Sequence, residues 1–264
     1  MLHTYFQFFL LSWALGALLM LILWLIHLSI KNAGIVDVGW ASGIALSSIL
    51  YFVLGDGFST RKWLGTLMAC AWGFRLGLYI LFARVIGHAE DARYTALKNM
   101  WKEKANFNLF FFFQLQGFLI AVFSLPFLFS SLSQMPRISF IEWMGVGLWG
   151  MGILGERTAD QELHTFKRNP ASKGKTCRVG LWKYSRHPNY FFEWLTWCGF
   201  ALFALASPLG WIAIVCPVLI LHFLLKVTGI PATEAQALKT KGDDYREYQR
   251  TTSAFIPWFP KRSQ

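Results

Sequence analysis

Charge is what this chain has least of. Only 15% of its 264 residues are charged and only 14 are acidic, whereas 55% are hydrophobic. Such a composition excludes a disordered chain, which needs the opposite balance. It also excludes an ordinary soluble domain, because a domain of this size leaves too much surface exposed to be covered by so few polar groups. A lipid environment removes the conflict, and the mean hydropathy of +0.41 agrees with it. Cysteine is scarce too. Cys70, Cys177, Cys198 and Cys216 form no Cys-x-x-Cys pair and no Cys/His cluster, so neither a metal site nor a disulfide scaffold is expected. The sequence shows no internal repeat and no low-complexity stretch. The first apolar run is too long for a signal-peptide core and is followed by no small-residue cleavage site, so it reads as a retained span.

What is present in quantity is long apolar runs. A bilayer core needs about 20 apolar residues per helix, and runs of that kind fall at 5–30, 36–55, 63–87, 107–131, 139–159, 189–207 and 209–228. The expected fold is therefore all-α, a single polytopic membrane domain over 1–264 with about seven transmembrane helices. The net charge of +11 is unevenly placed. Arg157, Lys167, Arg168, Lys173, Lys175, Arg178, Lys183 and Arg186 crowd one loop. Lys226, Lys239, Lys241, Arg246, Arg250, Lys261 and Arg262 crowd the tail, and the opposite side holds only Arg61, Lys62 and Arg137. The positive-inside rule then places the N-terminus outside and the C-terminus in the cytoplasm. Segments 88–105 and 157–188 become cytoplasmic loops and 229–264 a cytoplasmic amphipathic tail. Orientation and attraction for phosphates account for the basic residues, so no nucleic-acid partner is expected.

Ionisable groups inside spans are costly and mark function or internal pairing. Asp37 lies at the cytoplasmic entry of the second span and Arg75 in the third. Glu156 with Asp160, and Asn189 with Glu193, are each one helical turn apart. On the topology above all share one depth, which suggests a polar chamber opening to the cytoplasm. An ion pair of Asp37 with Arg75 that merely braces two helices is the plainer alternative. Lys183, Arg186 and His187 stand immediately before a helix start, where dipole and N–H groups favour a phosphate. Asp91, Arg93 and Tyr94 mix acceptor, cation and ring as ribose and phosphate would require, or else form a solvated interfacial loop. Residues 233–248 read as a short amphipathic helix and a turn, either a flap carrying Glu234, Tyr245 and Tyr248 or a membrane anchor.

Other signals are weak. Gly145-x-Gly147-x-x-Gly150 matches a dinucleotide fingerprint only as a string, since no strand precedes it, and close helix approach explains it better. His222 reads as a packed or locally bonded histidine, and Phe110 to Phe113 as lipid-facing residues.

Three stretches carry a resemblance. Gly180-Leu-Trp-Lys-Tyr-Ser-Arg-His-Pro-Asn-Tyr-Phe-Phe-Glu193, Glu90-Asp-Ala-Arg-Tyr94, and the ending Tyr245-x-x-Tyr-x-x-x-Thr-Ser-x-Phe-Ile-Pro-Trp258 resemble the steroid 5-alpha-reductase-like bacterial membrane proteins. Many of those carry only a domain-of-unknown-function label. The Arg-His-Pro-Asn-Tyr core is shared with sterol reductases, and isoprenylcysteine carboxyl methyltransferases have a close variant. The resemblance implies seven helices, NADPH entering from the cytoplasm, and a lipidic enone entering from the bilayer. It implies cofactor contacts at Arg75, Asp160, Asn189 and Glu193, with Asp37 near the catalytic carboxylate. Asp91, Arg93, Lys183, Arg186, His187, Tyr190 and Tyr248 complete the cofactor-binding candidates. Where the steroid enzymes have a proton-donating tyrosine this chain has Trp72, a much poorer acid, so proton donation passes to Asp37, Tyr79 or Tyr94.

The function expected is thus NADPH-dependent reduction of an activated C=C bond in a hydrophobic, steroid-like or other lipid substrate, in a bacterial inner membrane. The rivals are an S-adenosylmethionine-dependent methyltransferase and a non-catalytic lipid-binding protein.

Overall fold

The computed structural model describes residues 2–261, and Arg262 lies outside the described residues. Among the described residues the regular structure is all helix, with no strand. In order, α1 covers Leu2–Ile30, α2 Ile35–Leu54, α3 Ser59–Ile80, α4 Ala92–Trp101, α5 Ala105–Phe123 and α6 Leu125–Ser131. Then come α7 Phe140–Arg168, α8 Pro188–Ala204, α9 Val215–His222, α10 Ile230–Lys241 and α11 Asp243–Thr251. Five helical stretches are long and apolar enough to cross a membrane: Leu2–Ile30, Ile35–Leu54, Ser59–Val85, Ala92–Ser131 and Gly210–Lys241. Among the described residues the only extended pairing is an isolated bridge between Ser185 and Ser253.

The chain divides into two compact units. The first comprises Met1–Phe140 with Phe203–Ala213, and the second Ile141–Leu202 with the remainder from Ile214.

In the first unit α1, α2, α3 and α5 pack side by side. With lipid as apolar as leucine, close approach and hydrogen bonds must hold such helices together. Both devices are present. At the crossing of α1 and α5, a Cβ on Gly16 would stand 2.5 Å from the carbonyl oxygen of Gly117. Ser12 of α1 donates to Ser47 of α2 at 2.8 Å, and Ser124, just after α5, lies within hydrogen-bond reach of Ser12 and of the Tyr51 hydroxyl, at 3.2 and 2.9 Å. All four residues are fully buried. The outward faces stay apolar; Leu18, Ile22 and Leu25 of α1 are exposed, as lipid contact requires.

The run expected as one helix over 107–131 is in fact two. Pro126 has no N–H to continue the ladder and its ring crowds the preceding turn, so the chain breaks at Ser124 and restarts as α6. The phenylalanine run is not uniformly lipid-facing either. Phe111 is exposed, but Phe113 is fully buried against the His27 ring.

In the second unit α7 does not stop near 159 but continues to Arg168, so part of the expected loop is helix. α7 and α8 lie in close contact. A methyl at Gly152 would strike the hydroxyl and backbone of Thr196, and one at Gly199 would meet the backbone of Trp149. A Cβ at Gly147 or Gly150, by contrast, would meet nothing within 4 Å, so close helix approach does not explain those two glycines of the string, whereas Gly145 is buried. His222 is exposed and touches Phe223 edge-on rather than being packed. The expected turn over 243–248 is the helix α11, set off from α10 by Gly242 at φ +55, a left-handed conformation that glycine adopts without strain.

Candidate functional site

Each unit holds a cluster of the ionisable residues that the sequence singles out.

In the first unit the centre is Asp37, in the first turn of α2. Its carboxylate accepts the Tyr94 hydroxyl at 2.7 Å and the Arg93 guanidinium at 3.2 Å. Arg93 also donates to Asp91 through Nε and Nη2, both at 3.1 Å, and its guanidinium lies 5.4 Å from the centre of the Tyr94 ring. The order of residues along the chain produces this arrangement. Asp91 caps α4, accepting the Arg93 backbone N–H at 2.9 Å, which fixes the first turn and points Arg93 and Tyr94 at α2. Tyr94 is buried, its ring edge-on to Phe112. Burial pushes the Asp91 carboxyl up, but the hydrogen bonds and charge of Arg93 outweigh it and hold it below the usual carboxylate range. A neighbouring bond anchors the loop: Glu90 accepts from the Ala33 N–H and from Lys98, each at 2.6 Å.

Asp37 and the Asp91, Arg93 and Tyr94 segment, which the sequence presents apart, are therefore one network. Tyr79 takes no part in it and is 51% exposed. Trp72 is fully buried and packs its ring edge against Trp40 at 5.7 Å, as a core residue does. Arg75 of α3 is partly buried and engaged.

In the second unit the centre is Glu234 of α10. It accepts from Arg186 Nε at 2.7 Å and from the Gln249 amide at 2.7 Å, and lies 3.2 Å from His187 Nε2. Arg186 also donates to the backbone oxygens of Gln249 and Thr252, at 3.0 and 2.6 Å. The side chains of Arg186, His187 and Glu234 are only 11%, 3% and 15% exposed. Arg186 and His187 were expected to grip a phosphate, yet here an internal carboxylate occupies them. The start of α8 is similarly taken up. Pro188 has no N–H, the Tyr190 N–H bonds to the Asn189 side chain at 3.0 Å, and the Phe191 N–H to the His187 oxygen at 3.1 Å.

Beyond this clamp, Asn189 donates to Asp160 of α7 at 3.2 Å, joining two candidates 29 residues apart. One turn along α8, Glu193 accepts from the buried Trp197 indole at 2.9 Å. Tyr190 stacks on His187 with ring centres 5.4 Å apart and bonds to Thr233 at 3.2 Å. Lys183 is exposed, near the Tyr184 ring. Tyr248 is not a flap residue. It is buried under the loop before α8, where its hydroxyl donates to the backbone oxygens of Trp182 and Ser185, and burial raises it well above the usual phenol range.

Sequence reasoning had placed Glu234 only as part of a movable tail and had not singled out Gln249. Nothing in spacing signals a contact across 48 residues. Composition does not single it out either, because Glu234 is one of four acids in the tail beside Asp243, Asp244 and Glu247.

Among the described residues no group of three His, Cys, Asp or Glu side chains is arranged to hold a metal ion. The donors instead suit organic hydroxyl, amide and carbonyl groups. A family model described as "Protein of unknown function (DUF1295)" matches residues 23–252. No curated protein and no solved structure matches the chain.

Proposed function

Because the chain belongs to the DUF1295 family, which is steroid 5-alpha-reductase-like, we propose that it is an NADPH-dependent reductase of an activated C=C bond in a hydrophobic substrate, steroid-like or another lipid. The observation that carries the reading is the Asp37–Tyr94–Arg93 cluster. It sits at the start of a span, where an ionisable group is expensive to keep. Hydroxyl pairs such as Ser12 with Ser47 already serve helix packing in this unit. A phenol and a guanidinium on one carboxylate are the equipment of proton handling.

The groups that NADPH presents find counterparts in the donor set of the second unit. Asp160, Asn189 and Glu193 fit ribose hydroxyls and a carboxamide, since each offers a part-buried acceptor or amide. Tyr190 offers a ring to stack against. The phosphates fall to exposed cations such as Lys183, while Arg186 and His187 act by holding the start of α8 in place through Glu234. NADPH, when bound, supplies the hydride. The chain's own work is to hold a proton and a hydrogen-bond donor ready. The Tyr94 hydroxyl, now turned to Asp37, needs only a rotation about its C–O bond to donate to a substrate carbonyl and polarise it. Arg93 keeps the Asp37 carboxylate in place as that hydrogen leaves it, and the burial of Tyr94 excludes water from the exchange.

The same proposal assigns seven spans, the five apolar stretches plus α7 and α8, with the N-terminus outside and the C-terminus in the cytoplasm of a bacterial inner membrane. The distribution of cations supports that orientation.

Thermal shift of the purified protein in detergent tests the reading. NADPH raises the melting temperature, S-adenosylmethionine does not, and Asn189→Ala abolishes the NADPH effect. Stabilisation by S-adenosylmethionine alone makes the chain a methyltransferase, and stabilisation by neither leaves a lipid-binding protein.

A further inference from the structure

The segment that follows α11 combines two properties seldom found together. It is irregular in backbone, yet it is held in place by bonds at both ends and in the middle. The Arg186 N–H donates to the Ser253 oxygen at 2.8 Å, the Ser185 hydroxyl to the Phe255 oxygen at 2.8 Å, and the Trp258 N–H to the Tyr184 oxygen at 2.9 Å. The Lys261 N–H then returns to the Thr251 oxygen at 2.8 Å, closing residues 251–261 into a loop. On this fixed frame Ile256, Trp258 and Phe259 are 59%, 70% and 77% exposed.

Large apolar side chains held outward invite burial, but acyl chains cannot provide it here. Irregular backbone facing hydrocarbon would leave polar groups unsatisfied. The depth that accommodates both is the headgroup region, where tryptophan concentrates. The charges beside the loop point the same way. Closure at Thr251 brings Lys261 to the end of α11 that carries Arg250. Asp243, Arg246, Gln249 and Arg250 line an open cleft of about 510 Å³. The nearby acids are already engaged: Asp243 with Arg246 at 2.5 Å, and Asp244 and Glu247 with Arg178 at 3.0 and 3.3 Å. Arg250 and Lys261 have no acidic partner among the described residues.

We propose that the 251–261 loop is a docking surface for anionic phospholipid headgroups, with Trp258 and Phe259 seated at the bilayer interface and Arg250 and Lys261 meeting the lipid phosphates. The inference does not depend on the reductase reading. It moves the membrane contact from α10 and α11, where the sequence suggested an amphipathic anchor, to the loop beyond them.

Native mass spectrometry of the full chain in detergent, with phosphatidylglycerol or phosphatidylcholine added, tests the charges. The wild type retains phosphatidylglycerol in preference. Arg250→Gln with Lys261→Gln lowers that retention about 30-fold, the equivalent of roughly 1 kcal/mol per cation, without moving the melting temperature. Quenching by brominated lipid in proteoliposomes tests the depth, and Trp258→Phe removes a quenched component from the emission. Equal retention by the double variant, or emission unchanged by Trp258→Phe, overturns the proposal. Displacement of the lipid by millimolar inorganic phosphate overturns it as well, because that makes the cations a simple anion site.

Discussion

The two units solve the problem of polar groups in an apolar chain differently. The first builds its cluster largely from one helix start: Asp91, Arg93 and Tyr94 lie within four positions of each other and close on Asp37, 57 positions from Tyr94. The second draws its members from separate loops and helices: Glu234 collects Arg186, His187 and Gln249, and Arg178 collects Asp244 and Glu247. A network with a phenol proton at its centre suits chemistry. One in which a single carboxylate is held by Arg186, His187 and Gln249 suits the fixing of a helix start. The comparison shows why a basic loop is not by itself a phosphate site: its cations can already be paired within the chain.

The largest effect expected from breaking this contrast is at Glu234. Glu234→Ala leaves a buried guanidinium without its partner and is expected to destabilise the protein by about 3–5 kcal/mol, as for other buried pairs cut on one side, read as a lower melting temperature in detergent. Glu234→Gln keeps hydrogen bonding and costs less. If the two variants melt alike, the carboxylate charge is not what holds the tail. At the packing level, Gly117→Val places methyls on the α1 backbone and is expected to cost about 1–3 kcal/mol, checked by the same measurement.

How much of this was legible in the sequence follows from the range of each interaction. The apolar runs declared the helices because lipid demands about 20 apolar residues in sequence, and Asp37, Arg75, Asp160, Asn189 and Glu193 stood out as polar exceptions in or beside them. Asn189 with Asp160 was recoverable from the resemblance, and the structure joins them. The break at Ser124 was signalled by Pro126 but hidden by uninterrupted hydropathy. The second helix of the tail was masked by Gly242, which reads equally as the end of a helix or as a turn. Pairings such as Arg186 with Glu234 leave no periodic trace. The open surroundings of Gly147, Gly150 and His222 depend on which face a helix turns to its neighbour, and α9 and the start of α7 are too uniformly apolar to reveal it.

Smaller effects sharpen the same comparison. Asp244 ties α11 to the Thr176 N–H at 2.7 Å and to Arg178 at 3.0 Å. Burial raises its carboxyl, but the Thr176 bonds and the charge of Arg178 together outweigh it and hold it below the usual range. Its contribution is therefore complete above the unfolded carboxylate value near 4 and lost as pH falls through the lower folded value. Hydrogen exchange of residues 176–178 should rise below about pH 4 in the wild type and be high at neutral pH in Asp244→Asn. At the end of the scale, Tyr79→Phe is expected to change neither stability nor turnover, because the exposed ring stands outside the Asp37 network.

Isothermal titration of NADPH into purified wild type, Asn189→Ala and Asp37→Asn, followed by turnover with a hydrophobic enone, tests the central claim most directly. The expected result is binding by the wild type, binding lost in Asn189→Ala, and binding kept in Asp37→Asn while its turnover falls by about 10²–10⁴-fold, the range for a lost proton-handling group. An Asp37→Asn protein that turns over as fast as the wild type, or a wild type that does not take up NADPH at all, contradicts it.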